Sequence, residues 1–256
     1  MPMSAIKIHK AEDIVSMRSA GELAADVLEF VGKHVAEGIT TGELDTLCSE
    51  FITARGGVSA TLSYNGFPKS ICTSVNHVVC HGIPGNYRLK SGDIINIDIT
   101  VNVNGWHGDT SRTFIVGQCT ELAKMLVDVA EQAMYVGISA VRPYGHFGDI
   151  GSAIQKFVDH HGFSIVRSYC GHGIGREFHD EPMVVHHESH EPGPQILPGM
   201  FFTVEPMINA GSYKTKVEKD GWTVVTVDKS LSAQFEHTIA VTEDSVEIVT
   251  MRAQQK

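Results

Sequence analysis

The order of predicted secondary-structure elements repeats once along the chain, and this repetition limits the folds that the sequence can adopt. Apolar residues at helical spacing predict helices at residues 10–35, 40–56, 121–141 and 148–161. Strand patterns follow each pair of helices, at residues 59–116 and 165–250. Thr40 and Glu43 can form a capping box at the start of the second helix. The sequence therefore predicts an internally duplicated α+β fold in one domain spanning residues 1–256, with halves at about 10–117 and 118–250.

Two carboxylates lie on the arms of a predicted β-hairpin in the first half. Asn104-Gly105 is a strong two-residue turn signal, with Asp98 before it and Asp109 after it. With that turn, Thr100 lies opposite Asp109, and the two aspartates are diagonal neighbours on one face, roughly 7–8 Å apart at the backbone. A four-residue loop would place them directly opposite, whereas an odd-length loop or a bulge would send them to opposite faces. The register favours convergence of the two side chains.

Two candidate ligands in the second half lie where the local backbone would direct their side chains toward a site. His172 lies between Gly171 and Gly173, where missing side chains let the backbone turn sharply and approach a bound group. Glu205 precedes Pro206, which disfavours a helix at the residue before it, in the apolar run FFTVEPMI. A carboxylate in such an apolar run would face the hydrophobic core unless a ligand binds it.

A fifth candidate, Glu236, lies in a second predicted strand. The segment QFEHTIAVT alternates with a period of two, so Gln234, Glu236 and Thr238 share one side. That side is unusually polar for an apolar neighbourhood. The half boundary near Gly117 divides the five candidates into two and three, so we expect the site to form where the halves meet.

The composition of this ligand set predicts a metal site. Four carboxylates in a partly desolvated place repel one another, and two divalent ions would cancel their charges. Oxygen ligands with one imidazole suit manganese, iron(II), cobalt or zinc better than thiolate chemistry. Two such ions about 3.5–4 Å apart would hold a bridging hydroxide and polarise a carbonyl oxygen. The set therefore predicts hydrolysis.

Composition and charge exclude several other classes. The 256 residues are 42% hydrophobic and 20% charged, as in a globular protein, and the net charge of −10 argues against a nucleic-acid-binding function. Neither a signal peptide nor an apolar run long enough to span a bilayer is evident, so we expect a cytoplasmic protein without a membrane association. Five cysteines without paired CxxC spacing predict neither a zinc ribbon nor a disulfide framework. The cluster of His186, His187 and His190 is interpreted as part of a polar loop and not as a metal site.

Five segments, taken together and in order, resemble the bacterial type I methionine aminopeptidases, which have the pita-bread fold. These segments are YNGFPKSICTSVNHVVCHGIP, the hairpin with Asp98 and Asp109, CGHGIGREFHDEP, FTVEPMI, and DGWTVVTVDKSLSAQFEHTIAVT. The resemblance covers the whole chain. It implies that Asp98 and Asp109 bind two divalent metal ions together with His172, Glu205 and Glu236.

The resemblance also assigns catalytic and substrate-binding residues. His81 would lie near the substrate's amine and scissile amide nitrogen, and His179 would stabilise the oxyanion. Glu205 would also be the proton shuttle. The family's methionine pocket maps onto Thr61, Tyr64, Phe67, Cys72, Phe178 and Trp222. Thr61 stands where cysteine is frequent in the family, and Phe67 where tyrosine is, which puts pocket polarity in doubt but not the metal ligands.

Two further features follow from the resemblance alone. Backbone oxygens near Asn76, Val78 and Ser232 would bind a monovalent cation. Lys214, Lys216 and Lys219 could dock on a ribosome, but Glu218 and Asp220 interleave with them, so a solvated loop is the preferred interpretation.

The resulting hypothesis is a monomeric metalloaminopeptidase that removes the initiator methionine from nascent proteins when the second residue is small and uncharged. A metal-bridging hydroxide would attack the first peptide carbonyl, and the chain's own Met1-Pro2 start would be a substrate. Two alternatives remain: a proline-specific aminopeptidase or dipeptidase of the same fold, and a non-catalytic peptide-binding relative. Only 31 positions separate Glu205 from Glu236, which leaves no room for the extra subdomain of the type II enzymes.

Overall fold

The helices of the structure, a computed structural model that describes residues 5–251, agree with the sequence pattern. The described residues contain four α-helices: α1 Asp13–Gly32, α2 Thr41–Ala54, α3 Glu121–Ala140 and α4 Phe147–His160. All four predicted helices are confirmed. The capping box of α2 is also confirmed, because the Thr40 hydroxyl accepts from Glu43 N at 3.1 Å and the Glu43 carboxylate accepts from Thr40 N at 2.7 Å. The Met1-Pro2 start lies outside the described residues.

The strands of the first half centre on the predicted hairpin. They are β1 Val58–Ser59, β2 Cys72–Val75, β3 Val78–Cys80, β4 Ile94–Val103 and β5 Trp106–Ile115. Asn104 and Gly105 form the turn between β4 and β5, both with positive φ, of 53° and 82°. Thr100 pairs with Asp109 and Asp98 with Ser111, so the predicted register is confirmed.

One face of β4 packs on the helices and the other faces the interior of the molecule. Ile95, Ile97, Ile99 and Val101 are fully buried in one cluster with apolar residues of α1 and α2. Because side chains alternate along a strand, Asp98 lies on the opposite face. The helices of the first half therefore cover one side of the sheet and leave the carboxylate side to face the second half.

The second half contributes ten short strands. They are β6 Ser164–Ile165, β7 Gly171–Gly173, β8 Asp180–Val184, β9 Phe201–Val204, β10 Met207–Asn209, β11 Thr215–Val217, β12 Val224–Thr226, β13 Ser232–Gln234, β14 His237–Val241 and β15 Val246–Ile248. One sheet has the order β15-β14-β9-β7-β8, a second β13-β10-β6, and a third β11-β12-β3. The third sheet joins a strand of the first half to two of the second.

In the second half, one antiparallel strand pair continues into another, and both chains bend between the two pairs. β9 pairs with β14 in the five-stranded sheet, and β10 pairs with β13 in the next. The register continues from Val204 opposite His237 to Met207 opposite Gln234, which places Glu205 opposite Glu236 within the bend. Pro206 has no N–H to donate, so regular pairing cannot run through this point.

The second large apolar cluster packs α3 and α4 against β9, β10 and β14. The order of helices and strands matches the predicted repeat, while the duplication of the two halves stays a prediction. Among residues 5–251, no helix combines the length and the apolar character that a membrane crossing requires.

Candidate functional site

A cavity of about 410 Å³ lies between the two halves. Its volume is within the usual range for small-molecule sites. Thirteen of the predicted site residues line it: Thr61, Tyr64, Phe67, Cys72, His81, Asp98, Asp109, His172, Phe178, His179, Glu205, Trp222 and Glu236. The structure thus brings together the candidate metal ligands, the two candidate catalytic histidines and the candidate methionine pocket.

The two carboxylates of the hairpin enter the cavity from the first half. Asp98 is opposite Cys72 of β2 as well as Ser111 of β5, in the middle of the sheet. Asp109 is 3% exposed, and its Oδ1 accepts a hydrogen bond from the Thr100 hydroxyl at 2.8 Å. Both therefore project from paired strands, which hold carboxylates more rigidly than a loop would.

His172 lies within β7 and not in a sharp turn, so this detail of the prediction is wrong. Its flanking glycines serve close packing: a Cβ on Gly171 would lie 2.5 Å from Thr203 O, and one on Gly173 would lie 2.0 Å from Glu181 O. Nδ1 of His172 is 3.0 Å from Gly173 O and donates to it, which leaves Nε2 as the free ligand atom. Nε2 lies 3.6 Å from both Asp109 Oδ2 and Glu205 Oε1.

Glu205 and Glu236 lie at the bend where paired strands pass from one sheet to the next. The single strand predicted across Glu236 is wrong, because β13 ends at Gln234 and β14 begins at His237, in different sheets. Both carboxylates still line the cavity, as does Gln234. Glu205 Oε1 accepts from the Thr203 hydroxyl at 2.7 Å, and Oε2 accepts from Gln234 Nε2 at 3.1 Å.

Burial makes the ionised form of these acids unfavourable. Desolvation raises the pKa of Asp98 to about 7 and that of Glu205 to about 8. The same cause, reinforced by the neighbouring carboxylates, raises the pKa of Asp109 and Glu236 well above the usual range. Burial lowers the pKa of His172 to about 4, so its imidazole is neutral and available as a ligand.

These residues fit a divalent metal. Ligand atoms of Asp109, His172 and Glu236 lie within 4.8 Å of one another. Over the described part of the chain, no lysine or arginine forms an ion pair with any of the four carboxylates. Buried carboxylates without a cationic partner need protonation or a metal cation, and the oxygen-rich set with one imidazole is that of a divalent metal site.

His186 has a place in this site that the sequence interpretation missed. It lies in the loop after β8, as interpreted, but it is 1% exposed and its Nε2 accepts a hydrogen bond from Glu205 N at 3.1 Å, a burial and a contact that the polar-loop interpretation did not include. His187 is half-buried and His190 is exposed. The sequence has no period-two signal here, because Met183 and Val185 are apolar like Val184; the alternation of buried Pro182, Val184 and His186 is visible only in the structure.

The two candidate catalytic histidines lie at the edge of the metal site. His81 has a φ of 55°, a left-handed conformation that is uncommon for a residue with a side chain and is often found at functional sites. Its ring makes an edge contact with Tyr169, with centroids 5.7 Å apart. The His179 ring lies 4.2 Å from that of His172 and stacks on Phe178 at 4.1 Å. Burial lowers the pKa of both His81 and His179, that of His179 to about 3, so both are neutral.

Aromatic residues form the apolar end of the cavity. Phe67 is 2% exposed and meets Trp222 edge to face, with centroids 5.2 Å apart. Tyr64 packs on Phe178 at 4.7 Å. Cys72 and Thr61, both buried, complete this wall. A flat, polarizable lining of this kind suits a thioether side chain.

The remaining predicted residues lie outside the cavity. Ser232 N donates to Asn76 O at 2.8 Å, and Val78 begins the neighbouring β3, so the three candidate cation ligands are close along the backbone. Lys214, Lys216 and Lys219 are exposed. Lys214 precedes β11 and Lys219 lies in the turn between β11 and β12, so the loop prediction holds for these two residues. Lys216 lies within β11 instead, and its Nζ is 3.0 Å from the Glu218 carboxylate.

A buried oxygen-rich metal site beside neutral histidines and an apolar pocket defines a metal-dependent hydrolase. Residues 15–243 match metallopeptidase family M24. The chain is 56% identical over 247 residues to the methionine aminopeptidase of Rickettsia prowazekii, covering 96% of this chain and 95% of that protein. A crystal structure of methionine aminopeptidase from the same organism matches with a TM-score of 0.95 at 55% identity, covering 96% and 100% of the two chains.

The prolidase of Pyrococcus furiosus matches with a TM-score of 0.74 at 20% identity, covering 96% of this chain and 65% of that one, which shows the shared fold alone. The chain belongs to metallopeptidase family M24 and, within it, to the methionine aminopeptidases. It is thus a metal-dependent aminopeptidase, and the predicted α+β pita-bread fold is confirmed.

Proposed function

We propose that this chain removes the initiator methionine from nascent proteins whose second residue is small and uncharged. The observation that carries the proposal is that one cavity contains both the metal-ligand set and an aromatic pocket. The high identity with methionine aminopeptidases over nearly the whole chain supports the same activity. A proline-specific activity is disfavoured, because the proline-specific relatives share only the fold.

Two divalent ions are proposed to bind to Asp98, Asp109, His172, Glu205 and Glu236. Two ions match the four carboxylates in charge, and manganese, iron(II), cobalt and zinc all suit the donors. When bound, such ions supply a water of lowered pKa and polarise the substrate carbonyl. The buried acids support cation binding, because burial raises their pKa values and a bound cation would offset the cost of ionising them.

Glu205 is proposed to move the proton between the attacking water and the leaving amine. Its carboxylate is oriented by two donors, the Thr203 hydroxyl on Oε1 and the Gln234 amide on Oε2. The imidazole of His186 accepts from its backbone N–H and fixes the chain at the same residue. A proton carrier held at both its backbone and its side chain can act on water and substrate without rearrangement.

His179 and His81 are proposed to contact the reacting peptide unit. A neutral His179 can donate from Nε2 to the oxygen that becomes negative during attack, provided that Nδ1 is the unprotonated nitrogen. The Tyr64 hydroxyl is 2.9 Å from Nδ1 and supports that tautomer by donating to it. His81, in a neutral state and next to Trp222, is proposed to bind the amine and amide nitrogen of the substrate.

The methionine side chain is proposed to bind in the pocket that is lined by Thr61, Tyr64, Phe67, Cys72, Phe178 and Trp222. Phe67 and Thr61 provide neither the phenol nor the thiol frequent in the family at these positions. Phe67 makes its part of the pocket less polar than a tyrosine would, whereas the Thr61 hydroxyl is more polar than a thiol, and the aromatic remainder of the wall suits an apolar thioether.

A monovalent cation is proposed at the backbone oxygens near Asn76, Val78 and Ser232. Asn76 has a φ of 54°, and its carbonyl oxygen accepts from Ser232 N at 2.8 Å, so the backbones of these two residues are held together at this point. The buried Ser232 hydroxyl oxygen has no hydrogen-bond partner among the described residues, which supports a ligand at this point.

The proposed partner of the enzyme is the N-terminal peptide of a nascent protein, with the chain acting as a cytoplasmic monomer. Ribosome contact through Lys214 and Lys219 is also proposed. Both lysines are exposed at the β11–β12 hairpin, whereas Lys216 is already paired with Glu218.

A peptide assay separates the proposed activity from its alternatives. Protein loaded with Mn²⁺ is incubated with Met-Ala-Ser, Met-Leu-Ser and an Ala-Pro dipeptide. We expect free methionine from the first peptide alone. Cleavage of the Ala-Pro bond would support the proline-specific alternative, and no cleavage with any of the four metals would support a binding protein.

A further inference from the structure

The two strands that bring Asp109 and Glu236 together are not joined by a regular ladder. β5 pairs along its length with β4, and β14 pairs with β9 and β15. Between β5 and the residue before β14 there is one isolated bridge, with Glu236 N donating to Ser111 O at 3.0 Å and Ser111 N to Glu236 O at 3.4 Å. Two metal ligands from different halves of the chain thus meet at a seam with little backbone pairing.

A threonine on the second strand bonds the backbone of the first ligand. The hydroxyl of Thr238 donates to Asp109 O at 2.7 Å and accepts from Asp109 N at 3.2 Å. One side chain therefore satisfies both backbone polar groups of the same metal ligand. Thr238 is fully buried, and its own N–H donates to the Thr250 hydroxyl at 3.1 Å, so its position is fixed.

A threonine on the first strand bonds the backbone of the second ligand. The Thr110 hydroxyl donates to Glu236 O at 2.7 Å, and the residue is 1% exposed. Thr110 directly follows Asp109, whereas Thr238 comes two residues after Glu236. Thr238 of β14 thus holds the ligand on β5, and Thr110 of β5 holds the ligand that directly precedes β14.

We propose that Thr110 and Thr238 are positioning residues that set the separation of Asp109 and Glu236. The inference rests on the proposed metal-dependent function, because it concerns the ligands of that site. Three ligand atoms, from Asp109, His172 and Glu236, lie within 4.8 Å of one another, and this spacing depends on how the two strands meet. The hydrogen bond of a buried hydroxyl is directional, whereas apolar packing is not. Without these hydrogen bonds, β5 and the segment around Glu236 can shift relative to each other by enough to change the distance between the two metal ligands.

The test removes each hydroxyl without changing side-chain shape. Metal-free wild-type protein, Thr238→Val and Thr110→Val are titrated with Mn²⁺ by calorimetry, and their thermal unfolding is measured in parallel. We expect Mn²⁺ affinity to fall about 10-fold in each variant, as is usual when a group that orients a metal ligand is removed. Thr238→Ser keeps the hydroxyl and should restore most of the affinity.

Thr226→Val is the matched control. Thr226 is fully buried and its hydroxyl donates to Ser230 O at 2.8 Å, but it bonds no metal ligand. We expect it to lower the unfolding temperature by a similar amount while Mn²⁺ affinity stays as in the wild type. A loss of affinity equal to that of the Thr238 and Thr110 variants would mean that the effect is general destabilisation, and would overturn the proposal.

Wild-type affinity in both valine variants would equally overturn it. If Thr238→Val does not fold, Thr110→Val alone decides the outcome in the same titration. Failure of the proposed function has a different signature: wild-type protein would bind Mn²⁺ and yet release no methionine from Met-Ala-Ser.

Discussion

The Tyr64 hydroxyl lies 2.9 Å from Nδ1 of His179 and connects the wall of the apolar pocket to a candidate catalytic group. The pKa of His179 is lowered to about 3 by burial, so its ring is neutral over the working range of pH and carries one proton. In the proposed tautomer the Tyr64 hydroxyl donates to Nδ1 and the ring proton lies on Nε2, which is the nitrogen that can stabilise an oxyanion.

Replacing Tyr64 with phenylalanine removes this donor and leaves the ring. We expect kcat for Met-Ala-Ser to fall about 10-fold, corresponding to the loss of one hydrogen bond of about 1.4 kcal/mol, while KM changes by less than about twofold. Steady-state kinetics at saturating Mn²⁺ measures both constants. Tyr213→Phe, at a partly exposed site outside the cavity, is the control and should match the wild type. A rise in KM with kcat unchanged would mean that Tyr64 acts only in binding.

Glu205→Gln should lower the activity of the enzyme while raising the stability of the metal-free protein. The variant keeps shape and one acceptor oxygen but cannot carry the proton, so we expect activity to fall about 100-fold or more. The metal-free variant should nevertheless unfold at a higher temperature than the wild type at pH 8. Its neutral amide avoids the cost of ionising a buried carboxyl, whose pKa is raised to about 8. Near-normal activity would exclude Glu205 as proton carrier, and Glu218→Gln, at a residue outside the cavity, is the control.

The stability of the metal-free protein should decrease from pH 7 to pH 8.5. Burial raises the pKa of Asp98 from 3.8 to about 7 and that of Glu205 from 4.5 to about 8. The protonated acids therefore contribute stability that is fully present below their unfolded pKa values and is lost as the pH rises through the folded ones. Buried His172 and His179 act in the opposite direction, but only up to their unfolded value of 6.5.

Thermal melts at several pH values measure this trend. Because bound cations favour the ionised acids, saturating Mn²⁺ should abolish the decrease, and its binding at pH 7 should release protons into the buffer. A metal-free protein whose unfolding temperature rises steadily across this interval would contradict the assignment.

Trp222→Ala should weaken methionine binding more than it slows the chemical step. The indole meets Phe67 edge to face and lines the cavity, so its removal opens the apolar wall to water. We expect KM for Met-Ala-Ser to rise about 10-fold, equivalent to about 1.4 kcal/mol of lost binding. Trp222→Phe retains an aromatic ring and should show a smaller increase. Equal KM values for all three proteins would remove Trp222 from the methionine pocket.

The first-half ligands could be placed from the sequence because their geometry is local. Asn104-Gly105 selects a two-residue turn, and a two-residue turn fixes the register of β4 and β5 over ten residues each. The pairing of Thr100 with Asp109 then follows without knowledge of the rest of the fold. The capping box of α2 was predictable for the same reason.

The second-half ligands depend on contacts between distant segments, which leave weak signals. Glu205 and Glu236 lie opposite each other only because two strand pairs bend together between two sheets. A period-two pattern cannot distinguish this bend from one continuous strand, so the predicted strand across Glu236 was wrong. The polar neighbours of His186 correctly indicate a loop, but its burial depends on its contact with Glu205, a residue of a distant segment.

The most direct measurement is methionine release from Met-Ala-Ser by metal-free protein as Mn²⁺ is added in steps. We expect no release before the addition, an increase with each increment, and a plateau at two ions per chain, with Met-Leu-Ser resistant throughout. Full release in the presence of a chelator, or cleavage of Met-Leu-Ser at the same rate, would contradict a methionine-specific site built on these five metal ligands.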